Sequence, residues 1–324
     1  LFLFNIIDFN GYILWCVISQ AVPAVVIVLY LVWKGEFQLS GFTGFINREL
    51  FKEISKLCLY GILAGLSGIA ITNIDKYMVN NIEGLGNAGI YSIAVYFATM
   101  ILIPARSLGK ISVPVVAEAW KREDISEIGH IYSRSSINQY LIGLLLMIGI
   151  FGNMRNIFEF LPPDYASGEL VIIIFSFTNI VNVSAGVSQY ILGTSELYRY
   201  QTYLMVLLIL MVLVTNSILI PLWGMAGAAT ASFISMLVFT VLTVWLLWKK
   251  YRLWPYSLLH IKATIIAGSV LGVSLLIPQM SLYTDVIVRS IVITILFTVL
   301  TLWLKLSDEG NEILTKVIER IKSR

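Results

Sequence analysis

Charge is what this sequence has least of. Asp, Glu, Lys and Arg make up 13% of its 324 residues, about half the share of a soluble domain, while 58% are hydrophobic. So little polar surface cannot cover a globule in water, which excludes a soluble fold and points to an all-α, polytopic membrane protein. The two cysteines, Cys16 and Cys58, both lie in apolar runs, so a disulfide framework is excluded. The two histidines, His130 and His260, fall in expected polar loops and are too few for a metal-ligand cluster. There is no Gly-Lys-Ser/Thr phosphate loop, serine-nucleophile motif or His/Glu zinc motif, which argues against an ATP-driven motor and against an enzyme. No metal, cofactor or nucleic-acid partner is expected. The chain opens Leu-Phe-Leu-Phe without Met or a signal-peptide pattern, so a fragment lacking its N-terminal part is expected.

What is present is a series of apolar runs of roughly 20 residues, each long enough to span a bilayer. Nine are read: 12–33, 57–79, 89–110, 136–154, 168–192, 200–220, 223–248, 261–280 and 283–305. Their continuity predicts helices rather than the alternating strands of a barrel. Alternate loops (34–56, 110–135, 193–199, 249–262 and the tail) carry 18 of the 22 Lys and Arg residues. That places these loops and the C-terminus in the cytoplasm. Leu1 then lies outside, and an odd number of upstream helices would return the N-terminus to the cytoplasm. Phe45–Leu57 and Ile313–Ile321 are amphipathic and read as interfacial helices. Pro23 and Pro104 lie inside spans and are expected to kink them.

Few polar side chains lie within the spans. Gly61, Gly65, Gly68, Thr72 and Asp75 fall within about 80° on one helix side, a face that suits other helices or a watery cavity better than lipid. Asp75 reads either as an outer-boundary residue paired with neighbouring Lys76 or as a charge kept for function. Ser92, Tyr96, Thr99 and Arg106 share a second side. Arg106 either snorkels to the interface or offers its guanidinium to phosphate oxygens. Asn179, Asn182, Gly186, Gln189 and Gly193 form a third stripe, whose amides join helices or meet the hydroxyls of a sugar-like ligand. Gly224, Gly227, Ala231 and Ser235 predict close helix packing.

The run Tyr60-Gly61, Asn73-Ile-Asp75-Lys76-Tyr77-Met78, Gly89-Ile-Tyr91-Ser92-Ile-Ala94, together with Ile220-Pro-Leu-Trp-Gly-Met-Ala-Gly-Ala-Ala-Thr-Ala231, resembles bacterial polysaccharide-biosynthesis flippases. These are the O-antigen and capsule lipid-linked-oligosaccharide translocators of the multidrug/oligosaccharidyl-lipid/polysaccharide exporter superfamily. The resemblance implies a MATE-like two-lobe fold of which this chain lacks most of the N-terminal lobe. Residues 1–56 would be the last helix of that lobe and the linker, 57–250 the six-helix C-terminal lobe, and 251–324 two extra helices and a tail. It further implies alternating access in the bacterial inner membrane, driven by a proton or sodium gradient. Arg106 and Lys76 would face the pyrophosphate, Asn179, Asn182 and Gln189 the sugars, and Asp75 would serve coupling. The lipid-linked glycan and membrane lipids are the expected partners. A cation-coupled multidrug antiporter and a polysaccharide polymerase or ligase are the alternatives; few intramembrane acids and no large external loop speak against them.

Overall fold

The computed structural model describes residues 9–35, 48, 50–52, 54–55, 73–307, 310 and 312, and among these every regular element is a helix. Seven helices are long and apolar enough to cross a membrane, which by length and composition makes this a multi-pass membrane protein. The chain divides into two units, Leu1–Leu63 and Ala64–Arg324. The residues Gly61 to Thr72, most of the expected span 57–79 and the two amphipathic segments fall largely outside the described residues.

In the first unit, α1 runs Phe9–Trp33, 25 residues without a break at Pro23. That is about 38 Å of helix, more than a hydrocarbon core of ~30 Å requires.

The described residues of the second unit form α2 (73–83), α3 (Leu85–Thr99), α4 (Ile103–Lys121), α5 (Ile125–Gly152), α6 (Met154–Phe160), α7 (Glu169–Ser184), α8 (Ser188–Thr194), α9 (Tyr198–Tyr251), α10 (Leu258–Leu275) and α11 (Leu282–Trp303). Between α3 and α4 the helix tightens into a 3₁₀ turn at Met100–Leu102, next to Pro104 at the start of α4. The proline ring has no N–H to give and fixes φ, which explains the kink there.

The loop expected over 110–135 is mostly helix. α4 continues to Lys121, with Val116 and Ala119 buried, and α5 starts at Ile125 because the Asp124 carboxylate accepts the Glu127 N–H at 2.9 Å. An N-cap of this kind stabilises a helix by about 0.5–2 kcal/mol. Hydropathy sees the charges here and misses the amphipathic continuation. His130 and His260 accordingly lie in helices α5 and α10, not in loops.

α9 would be about 80 Å long if straight. Instead Gly224 takes φ 58° and ψ −137°, and Thr215 Oγ1 lies 3.4 Å from Ser235 Oγ although 20 residues separate them. The chain therefore folds back into two antiparallel arms, as the Pro221-Leu222 turn leads one to expect. The space a Cβ on Gly227 would need holds the Leu219 carbonyl, so the small-residue stripe does serve close packing.

Two apolar clusters fill the interior. One joins Tyr91, Leu144, Ile172 and Ile220 to Ala267 and Ile293 of α10 and α11. These last two helices thus pack into the same core rather than standing apart. The other joins Val116, Ile128, Ile191, Leu208, Phe239 and Leu247.

Candidate functional site

Where the two clusters meet, a cavity of about 330 Å³ remains. Val95 and Val183 face it from the first cluster, and Leu208, Val212 and Phe239 from the second. Gln139, which also lines it, stands midway along α5. The polar wall includes Asp75, Arg106, Asn179, Asn182 and Gln189, five of the six residues singled out from the sequence. Lys76 is the exception. Its ammonium lies 4.7 Å from the centroid of the Tyr96 ring, where an aromatic face can hold a cation, and it does not line the cavity.

Asp75 is buried, 4% exposed. Its carboxylate accepts hydrogen bonds from Asn216 Nδ2 at 2.8 Å, Ser232 Oγ at 2.5 Å and Tyr91 Oη at 3.3 Å. Asn216 and Ser232 come from the two arms of α9 and Tyr91 from α3, so folding α9 back on itself is what assembles this acceptor site. Of the two readings of Asp75, a side-chain pairing with Lys76 is not the one formed; three donors from other helices hold the carboxylate. A charge this deep is costly unless paired, hydrated or hydrogen-bonded.

The third stripe is not on one helix. α7 ends at Ser184 and α8 begins at Ser188, with Gly186 between them at φ +54°. A Cβ there would sit 2.7 Å from the Ser136 backbone N, so glycine is required on both conformational and steric grounds. Gly186 itself lines the cavity. Asn182 and Gln189 flank the break, and both still reach the cavity. Asn179 donates Nδ2 to the Ala98 carbonyl at 2.8 Å, just before the 3₁₀ turn, so its amide joins helices while bordering the cavity.

Arg106 is exposed and follows the 3₁₀ turn. Arg106, Gln139, Asn182 and Gln189 make no side-chain hydrogen bond or ion pair among the described residues, although Gln139 is only 3% exposed. A buried polar side chain without a partner is uncommon; Gln139 is one, and it shares the cavity with the half-buried Asn182 and Gln189 and the exposed Arg106.

Gln139 escaped the sequence reading because the span was started at 136, which left it near a boundary. With α5 beginning at Ile125 it stands at mid-helix. A second omission is the pair Asp285 and Arg289, four residues apart in α11 and buried at 4% and 6% exposure. Arg289 donates Nη2 to Asp285 Oδ1 at 2.9 Å and Nε to Oδ2 at 3.0 Å. Asn156 of α6 donates to Oδ2 at 2.6 Å, and Arg289 Nη1 donates to the Ser274 carbonyl of α10. The i,i+4 spacing of opposite charges inside an apolar run was the available signal. This cluster is internally satisfied and fastens α6, α10 and α11 together. Among the described residues no group of three or more His, Cys, Asp or Glu could hold a metal. Compared with models of known families, with curated proteins and with solved structures, the chain finds no match.

Proposed function

We propose that this protein is a membrane carrier without a chemical step. In this reading it flips a polyprenyl-pyrophosphate-linked oligosaccharide, of O-antigen or capsule type, across a bacterial inner membrane by alternating access, with its C-terminus in the cytoplasm. One observation carries the reading: in a chain poor in charged residues, four polar side chains without partners among the described residues line one cavity, and Gln139 among them is buried. Protein interiors rarely leave a group such as the Gln139 amide unsatisfied, so a polar cargo is the natural partner. The cavity volume lies at the lower end of small-molecule sites, about 300–1,000 Å³. That suits the pyrophosphate and first sugar of a lipid-linked head, with the tail left in lipid. Arg106 supplies the phosphate-matching fork, Asn182, Gln189 and Gln139 meet hydroxyls, and Asp75 serves ion coupling to a proton or sodium gradient.

The Asp75 site also favours a second reading, a cation-coupled multidrug antiporter, because a buried acid beside a cavity is what such a carrier needs. The protein as its host makes it, reconstituted in liposomes with a lipid-linked glycan on one leaflet, separates the two. Movement of the glycan supports the flippase. A well-folded protein that leaves the glycan in place but changes drug accumulation in cells would replace it with the antiporter.

A further inference from the structure

The helix break that carries Asn182 and Gln189 is held only in part by its own chain, through the Ala185, Gly186 and Ser188 N–H groups. Such a break leaves carbonyl and N–H groups without helical partners, and consecutive serines of α5 take one of each. Ser136 Oγ donates to the Ser184 carbonyl at 2.5 Å, and Ser135 Oγ accepts the Val187 N–H at 3.3 Å. Since the Ser136 proton is committed to Ser184, its oxygen is free to accept, and His260 Nε2 lies 3.0 Å away. The other ring nitrogen, Nδ1, accepts the Ser257 N–H at 3.2 Å, forming a capping box at the start of α10 in which His260 stands at the third helical position. Both ends of the ring therefore require one tautomer, bare at Nδ1 and protonated at Nε2. The chain of donors runs one way, from Ser257 through His260 and Ser136 to the break.

The surroundings of the ring add no charge. From α5 it faces Tyr140, with centroids 5.1 Å apart, and from the preceding loop Tyr256, at 5.5 Å. The Tyr140 hydroxyl is paired with Thr264 Oγ1 at 2.8 Å and that of Tyr256 with Ser184 Oγ at 3.3 Å. No ion pair involves His260 among the described residues. An added proton would have to go on Nδ1. It would oppose the Ser257 N–H with a second donor and place a positive charge at a helix N-terminus, where the macrodipole opposes it.

We propose that His260 is a positioning residue, outside the cavity, whose neutral imidazole locks the break between α7 and α8 and whose protonation releases it, moving Asn182 and Gln189. This is regulation of the cavity described above. Only its consequence for transport rests on the proposed cargo.

The test reads the wall directly and needs no cargo. Cys16 and Cys58 are replaced by Ala, Asn182→Cys is introduced, and its labelling by a water-soluble maleimide is compared at about pH 7.5 and about pH 4.5, the lower value two units under the ordinary imidazole value of ~6.5 because the Ser257 N–H and the helix N-terminus oppose the added proton. Rates are normalised to free cysteine. With His260 present the normalised rate rises several-fold on acidification. With His260→Gln it stays flat, because glutamine is an ordinary capping-box residue at this position and does not titrate. A flat response with His260 present, or an equal rise with His260→Gln, overturns the proposal. ¹⁵N-histidine spectra give a second check, since His130 is the only other histidine. They place the His260 proton on Nε2 near neutral pH, and the opposite tautomer refutes the mechanism even if a variant fails to fold.

Discussion

Removing the Asp285 carboxylate tests how the last two helices are fastened to the rest of the second unit. In Asp285→Ala, Arg289 loses its contacts at 2.9 and 3.0 Å, and Asn156 loses its 2.6 Å acceptor. Arg289 is 6% exposed, and its guanidinium keeps only the carbonyls of Ser274 and Ile277. Neutral interhelical hydrogen bonds in membranes contribute about 0.6 kcal/mol on average. By that measure alone the loss would be small. An uncompensated buried charge is a different matter, costing about 3–5 kcal/mol. At about 2–4 °C per kcal/mol the melting temperature should fall by on the order of 6–20 °C.

Replacing both residues with leucine removes the stranded charge with its partner. The cost is then limited to the amide of Asn156, which retains Asn153 Oδ1 at 3.3 Å, and to two carbonyls near the end of α10, about 1–3 kcal/mol. The double variant is therefore more stable than Asp285→Leu, and with Arg289→Leu completing the cycle the coupling is at least about 2 kcal/mol. Thermal unfolding followed by far-ultraviolet circular dichroism in detergent measures all the variants. Additive single losses, or a loss below about 1 kcal/mol for Asp285→Ala, would show that the pair does not act as a buried unit.

Three further outcomes follow. Asp75→Asn leaves one acceptor oxygen where three donors converge. It should cost about 1–3 kcal/mol and abolish gradient-driven transport while cargo binding persists; gradient-driven transport at the wild-type rate removes Asp75 from coupling. Arg106→Ala should impair glycan movement more than Arg106→Lys at equal protein levels, because lysine keeps the charge and loses the fork. Equal movement by Arg106→Ala and wild type returns Arg106 to a snorkelling role. Gly186→Ala adds a Cβ 2.7 Å from the Ser136 N at φ +54°, so it should lower stability by more than the ~1–2 kcal/mol of a left-handed alanine, as read by thermal unfolding.

The helical architecture was legible because lipid leaves a chain few options: continuous apolar runs give helices, and the Pro221-Leu222 turn gives the hairpin of α9. The departures from helix were harder to read. Ala185, Gly186 and Val187 are as apolar as their neighbours, so hydropathy carries the span straight through the break, although Gly186 was counted on the polar stripe. The charges around the short turn at 122–124 misled in the opposite sense, since they suggested a loop over 110–135 where α4 and α5 both continue. That shift moved Gln139 from an apparent boundary to mid-helix. Asp285 and Arg289 were passed over because a spanning run tolerates two charges in a hydropathy window, and only their spacing shows that they neutralise each other.

The same departures from helix separate the sequence candidates by role. Wherever the backbone leaves helical geometry in lipid, some polar side chain must satisfy what is exposed. Asn179 does so for Ala98 beside the 3₁₀ turn, and Ser135 and Ser136 do so at the break after α7. These side chains are consumed by the fold and have little left to offer a ligand. Asp75 is engaged too, but by donors alone, so of its roughly four acceptor sites one, on Oδ1, is left for a cation. Arg106, Gln139, Asn182 and Gln189 answer no backbone need among the described residues. Sequence spacing put Asn179 and Asn182 in one class, because both lie on one face of α7. Their hydrogen bonding divides them, and a substitution at Asn179 should therefore register first in stability and one at Asn182 first in cargo binding.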